Sequence, residues 1–431
     1  MMPLQAIRKE VNTMKKTKLF LITISLVLLC AMTVNLTGCA TTVHAEDLME
    51  GVTPNSVTAL TDLSSGSVDA TDFAIRLFKQ TNEDGKNTLI SPLSVLCALA
   101  MTANGAEGET REQMEAVLGM SVEELNLYLY SYINALPQGE KYKLSVANSI
   151  WFTDDDRFTV NQDFLQTNAD YYGADIYKTP FDKQTLKDIN NWVKNETDNM
   201  IPKVLEDIPD AAIMYLINAL AFEAEWTEIY EKNQVRDKTF TKEDGTKQDV
   251  ELMYSTEGKY IEDENATGFI KYYKERKYAF VALLPNEGVT VSEYINSLDG
   301  ESLAAMLANA ESRTVETAIP KFETEYDREM SDILEAMGMS NAFNVTFADF
   351  TGIGDSTEGG IYISKIIHKT YIQVGEKGTK AGAVTAIEMN DGSAGPPDEI
   401  KQVYLDRPFV YMLIVCETNT PFFIGTVMDV N

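Results

Sequence analysis

Glu376-Lys377-Gly378-Thr379-Lys380-Ala381-Gly382-Ala383-Val384-Thr385-Ala386 is the stretch on which the fold turns. With a period of two, Thr379, Ala381, Ala383, Thr385 and Ile387 fall on one face, and Lys380, Gly382, Val384, Ala386 and Glu388 on the other. Both charges lie on the second face, which leaves the first suited to burial. Yet Gly378, Gly382 and the alanines are poor strand formers and leave the backbone mobile. Pattern alone admits two readings: a strand that forms only when a sheet receives it, or an ordinary small-residue loop. No proline occurs between 376 and 395, so no position there lacks a ladder donor.

Moving outward, residues 361–367 upstream and 409–416 downstream read as strands, as do 279–284. Helical patterns gather earlier, over 69–80, 93–103 and 110–118, with one more near 327–337. Helices first and strands later, without βαβ alternation, predict an α+β body with large antiparallel sheets. No repeat and no Pro/Gly/Ser linker interrupts residues 68–431, a length that buries a substantial core in one unit.

At the other end, Lys15, Lys16 and Lys18 precede an apolar run over 19–34, followed by Leu36-Thr37-Gly38-Cys39. A positive start, a short apolar run and a small-residue cut site make residues 1–38 a secretory signal peptide. The run is shorter than the about 20 residues of a membrane helix. Its ending resembles a bacterial lipobox, in which the Cys39 thiol takes a diacylglycerol and the chain is cut just before it. That places the mature chain, lipid-anchored, on the extracellular face of a bacterial cell membrane. The alternative is a secreted protein cut near His44-Ala45-Glu46. Met14 begins a signal of its own, so residues 1–13 read as upstream of the true start. Residues 39–67, rich in Thr, Ser, Asp and Glu, read as a flexible tether.

Composition removes several classes of function. The chain holds 66 acidic and 36 basic residues, for a formal charge of −30. Residues 1–38 carry five cations against Glu10, so the chain from Cys39 onward stands near −34. Such a surface repels phosphate backbones, and no nucleic-acid partner is expected. Beyond Cys39 only Cys97 and Cys416 remain, both in apolar stretches that suit small buried hydrophobes. Two thiols and two histidines, His44 and His368, leave no expected metal or cofactor site.

Enzyme chemistry finds no foothold either. No Gly-x-Ser-x-Gly elbow exists to partner His368, which reads as a hydrogen-bonded structural histidine. Gly352-Ile353-Gly354 and Gly359-Gly360 do not open a helix after a strand, so they make no phosphate loop. Asp154-Asp155-Asp156 lacks the EF-hand spacing, and no carboxylate pair stands out for glycoside hydrolysis.

Taken in order, several segments resemble the serpin family. They are Asn87-Thr88-Leu89-Ile90-Ser91-Pro92-Leu93-Ser94-Val95, Ile189-Asn190-Asn191-Trp192-Val193, and Ile217-Asn218-Ala219 with Phe222 and Trp226. Leu283-Leu284-Pro285, Ile319-Pro320-Lys321-Phe322 and Ala348-Asp349-Phe350-Thr351-Gly352-Ile353 continue the series. Ile363-Ser364-Lys365-Ile366-Ile367-His368-Lys369 leads into the opening run, and Asp406-Arg407-Pro408-Phe409 and Phe423-Ile424-Gly425 close it.

The resemblance spans about residues 68–430 and implies the serpin fold: three β-sheets surrounded by about eight or nine helices, with an exposed reactive-centre loop. It also implies a monomeric inhibitor that forms a covalent acyl-enzyme complex with a serine protease, or less favourably a cysteine protease. Glu376, Gly378, Thr379, Ala381, Ala383 and Thr385 then form the hinge and inserting arm. Ser91, Ser94, Asn218 and His368 correspond to the polar cluster beneath the strands that part. Family spacing counted from Thr379 puts the scissile bond at Gly392-Ser393, with Met389-Asn390 and Asp391-Gly392 as alternatives. Lys380 and Gly382 depart from the usual acidic residue and alanine, both on the outward face. Residues 381–400 contain no Lys or Arg, which a trypsin-like pocket requires. Elastase-like or subtilisin-like targets are expected.

Overall fold

The described residues of the computed structural model are 43–154, 158–208, 214–356, 360–379 and 400–430. Nine α-helices occur among them: α1 (Ser64–Thr81), α2 (Pro92–Ala103), α3 (Gly108–Leu118), α4 (Val122–Ala135), α5 (Gln162–Tyr172), α6 (Lys183–Glu196), α7 (Val291–Ser297), α8 (Gly300–Ala308) and α9 (Ser331–Met337). The early strands are β1 (Glu46–Asp47), β2 (Thr88–Ile90), β3 (Tyr142–Thr153), β4 (Phe158–Val160), β5 (Asp175–Thr179) and β6 (Met214–Glu225). Next come β7 (Val235–Thr241), β8 (Lys247–Glu262), β9 (Ala266–Tyr272), β10 (Tyr278–Pro285), β11 (Glu311–Pro320) and β12 (Phe322–Glu329). The last are β13 (Gly354–Ser356), β14 (Lys365–Gly375), β15 (Gly378–Thr379), β16 (Lys401–Tyr404), β17 (Phe409–Val415) and β18 (Thr420–Val427).

Three sheets result. The central one has the order β1-β5-β3-β6-β15-β14-β12. A nine-stranded sheet runs β16-β11-β8-β9-β10-β17-β18-β2, with β7 beside β8, and β4 and β13 make a small third. Most pairs are antiparallel, as the α+β reading expects. The exceptions are β3–β5, β11–β16 and a short meeting of β6 with β14.

Helix α2 explains how the large sheets share a core. Its sequence is apolar on every side, so it has no face for water, and all twelve residues are buried. Ser91 caps it, accepting the Ser94 N–H at 3.3 Å, and Pro92 at the first turn gives up only a donor that has no intrahelical partner. The helix packs against β6 of the central sheet and β18 of the second. Aromatic rings close the seam: Phe222 meets Tyr273, Tyr278 and Phe422 with centroids 5.0–5.3 Å apart. Such pairs contribute about 0.5–1.5 kcal/mol each beyond their buried area.

Three expectations need correction. The strand placed over 361–367 begins at Lys365 and continues to Gly375. Ile361 and Ile363 are buried, but Ile363 gives its N–H to Ala342 rather than to a ladder. The helix near 327–337 starts only at Ser331, because Asp327, Arg328 and Glu329 finish β12, paired with Lys369, His368 and Ile367.

The third concerns the tether over 39–67. From Val43 on it lies against the body. Glu46 and Asp47 pair with Lys178 and Tyr177, and the Leu48 N–H reaches the Ile176 carbonyl at 2.8 Å. His44 donates its backbone N–H to the buried Asp188 carboxylate at 2.9 Å, with its ring Nδ1 3.2 Å from the other oxygen. Leu60 N–H bonds Ser131 Oγ, and α1 begins at Ser64, before the expected boundary. The reason lies in β5, whose outer edge would otherwise present unpaired backbone groups.

Candidate functional site

Strand β14 buries Ile366, His368, Thr370, Ile372 and Val374, one residue in two, which fixes which face of the central sheet is inward. At its upper end the chain turns through Gly375, Glu376 and Lys377 and re-enters the sheet as β15. Three donors hold that turn. Trp226 gives its backbone N–H to the Lys377 carbonyl at 2.8 Å and its indole N–H to Gly375 at 2.9 Å. Tyr230 gives its N–H to the Glu376 carbonyl at 2.9 Å. Trp226 is itself fully buried, stacked on Tyr273 with centroids 4.2 Å apart.

Glu376 pairs with Lys321 at 2.5 Å, and Lys321 also reaches Glu251 at 3.0 Å. Partial burial opposes ionisation of Glu376, but the Lys321 ammonium outweighs it and holds the carboxyl below its ordinary range. A cleft of about 630 Å³ opens here, lined in part by Tyr230, Phe322, Val374 and Gly378.

The two residues of β15 sit between two strands at once. Gly378 faces Gly375 of β14 and Glu225 of β6, and Thr379 faces Val374 and Ala224. Only glycine fits the first position. Gly378 has φ 152°, and a Cβ there would stand 1.9 Å from the Ala224 carbonyl oxygen. Thr379 is 2 % exposed and shares a hydrogen bond with the Tyr273 hydroxyl at 2.5 Å. Lower down, β14 meets β6 directly, Lys365 beside Tyr215 and Ile366 beside Leu216. The sheet is therefore wedged open at the top and closed at the bottom.

Below the wedge lies the polar cluster. The Ser91 N–H donates to His368 Nε2 at 3.0 Å, which puts the ring proton on Nδ1. Burial pushes the His368 pKa down to about 4, so the ring stays neutral. Ser94 bonds Ser91 as the helix cap, and Thr370 gives its hydroxyl to the Leu89 carbonyl at 2.7 Å. The structure thus joins Ser91, Ser94 and His368. Asn218 instead donates its amide to Asn148 across β3 and β6, and its buried Oδ1 has no partner among the described residues.

Ala381, Ala383, Thr385, Met389, Asn390, Asp391, Gly392, Ser393 and Cys39 lie outside the described residues. Sequence reasoning missed Tyr273, which receives Thr379, and Asn148, which holds Asn218. Neither carries a local signal, because each is one polar atom in a strand and its meaning comes from the partner across the sheet. Cys97 and Cys416 are free thiols whose pKa burial pushes up to about 12, so neither is a nucleophile. Among the described residues no three His, Cys, Asp or Glu side chains converge as a metal site would need.

A strand seated at the head of a sheet that is closed lower down is a configuration with relatives. A family model described as Serpin (serine protease inhibitor) matches residues 69–430. The chain belongs to the serpin family. The serpin resembles an uncharacterised serpin-like protein of Thermococcus kodakarensis, 28% identical over 366 residues that cover 83% of this chain and 84% of that one. Human neuroserpin is 27% identical, over 83% of this chain and 90% of its own. Among solved structures, the thermophilic serpin tengpin in its native state is 48% identical, with a TM-score of 0.85 over 90% of this serpin and all of tengpin. Tengpin in its latent state gives a TM-score of 0.76. The expected fold, with its three sheets and surrounding helices, is the one observed.

Proposed function

We propose that this serpin is an irreversible, suicide-substrate inhibitor of serine proteases of the elastase-like or subtilisin-like kind, working as a monomer. The supporting observation is β15, a hinge already started between β6 and β14. The protease serine attacks the loop at Gly392-Ser393, or at Met389-Asn390 or Asp391-Gly392. The Ser393 amine leaves and an ester to the Gly392 carbonyl remains. The freed arm then extends β15 downward. Strand addition with release of stored strain is a general device for which serpins are a standing example.

On this reading, the pairing of Gly378 and Thr379 continued downward would bring Ala381 between Phe222 and Ile372, Ala383 between Leu220 and Thr370, and Thr385 between Asn218 and His368. Each inward residue is small and none is charged, so the arm can enter without burying an unpaired ion. Thr385 would arrive at Asn218 Oδ1, the buried acceptor that has no partner among the described residues. Insertion carries the acyl-enzyme across the molecule before water releases it.

Cys39 and the residues before it support lipid attachment and a place on the extracellular face of a bacterial cell membrane. Incorporation of labelled palmitate, lost in Cys39→Ala, tests that part. For the inhibition itself, the protein is incubated with pancreatic elastase, subtilisin and trypsin and run on denaturing gels. Covalent complexes with the first two and none with trypsin are expected. Plain cleavage without a complex would overturn the reading, and mass spectrometry of the released peptide fixes the bond.

A further inference from the structure

A second cleft, of about 350 Å³, is lined in part by Thr227 and Glu228, the residues that follow Trp226 in the chain. Its floor is the ammonium of Lys271, 2 % exposed, bonded to Glu257 at 2.8 Å and packed over the rings of Tyr230 at 4.5 Å and Trp226 at 5.4 Å. That pair is neutral. The walls are not. Among the described residues Lys259 reaches only neutral acceptors, the Ala310 carbonyl and Ser312 Oγ, both at 3.1 Å. Accepting from Lys259 leaves the Ser312 O–H as a donor. Arg276 lays its guanidinium over the Tyr272 ring at 5.3 Å, and no carboxylate among the described residues pairs with it. Glu228 also lines the cleft and has no ion pair among the described residues.

The backbone is strained to make this arrangement. Glu275 and Arg276 both take left-handed φ values, 58° and 54°, which non-glycine residues rarely adopt in succession. Side chains hold the turn there: Lys274 Nζ donates to the Thr227 carbonyl at 3.0 Å, and Glu275 accepts the Tyr142 hydroxyl at 2.7 Å. In a chain of net charge −30, two cations without acidic partners on one cleft call for an occupant.

We propose that this cleft binds a phosphate group, as the free ion or as a small monoester. The Arg276 fork matches a phosphate edge in two-point fashion, Lys259 adds a point charge, and Ser312 donates its hydroxyl. The volume suits a group of that size with a short substituent. Lys271 and Thr227 tie the site to Trp226, whose two N–H groups hold Gly375 and Lys377, so occupancy is felt at the hinge turn. Binding stands without the inhibitory reading; a resulting change in inhibition rate rests on it.

The test titrates the intact protein with inorganic phosphate and with glucose 6-phosphate, against chloride at matched ionic strength, by calorimetry and tryptophan fluorescence. Saturable binding of phosphate is expected, weakened at least tenfold in Arg276→Gln and in Lys259→Gln and tightened in Glu228→Gln, with unchanged melting points. Tighter binding of the ester assigns a monoester as the ligand, and equal binding assigns the free ion; either supports the site. A response to chloride as large as to phosphate, or full binding in Arg276→Gln, would overturn it.

Discussion

Thr379 has little room for another side chain, since its hydroxyl sits on Tyr273 and its backbone lies between two strands. Thr379→Arg would have to bury an unpaired cation there, a penalty of several kcal/mol, so the hinge leaves the sheet. The variant is expected to be cleaved by elastase without a complex that survives denaturing gels; a surviving complex would refute the insertion reading. His368 makes a different prediction. Its pKa is about 4 in the fold against an ordinary 6.5, so the unfolded chain binds the extra proton first. Stability from this residue is present above pH 6.5 and is lost as pH falls towards 4, by about 3 kcal/mol in all. Denaturant titrations across that window should show a shallower pH slope in His368→Asn than in the parent. An equal slope would locate the effect elsewhere.

At the scale of elements, β15 rests on a glycine. Gly378→Ala brings a methyl group against the Ala224 carbonyl and should unseat the strand at a cost of about 1–3 kcal/mol. Amide exchange over residues 377–379 would then speed up, while exchange in β10 stays as it was. The strands and helices themselves were legible where burial follows a period. Helix α2 and strands β10 and β17 stand within a residue of their expected bounds. Legibility failed where pairing is made by backbone alone. Strand β1 is two exposed acidic residues with no apolar period, and nothing in Glu46-Asp47 announces a sheet edge. The end of β12 failed for a related reason: Asp327-Arg328-Glu329 on an edge strand looks like the solvated start of the helix after it. In the hinge, the alternation of small residues was readable, but its seating depends on Trp226 and Tyr273, far away in the chain.

For the whole molecule, the N-terminal segment acts as part of the structure. A chain beginning at Leu63 loses the β1–β5 pairing and strips the buried Asp188 of its His44 contacts. Each lost bond to that carboxylate is worth about 1–3 kcal/mol. A melting point several degrees lower and faster aggregation through the bared β5 edge are expected; an unchanged melting curve would mean that the contacts are ornamental. The same segment sets a distance. Once Val43 is fixed to the body, only three residues separate it from Cys39, a span of at most about 14 Å. Had residues 39–67 hung free, the leash would have reached about 100 Å. A lipid at Cys39 would therefore moor the serpin close against the bilayer, and under the proposed inhibitory function it would meet proteases working at the cell's own skin and miss those passing at a distance.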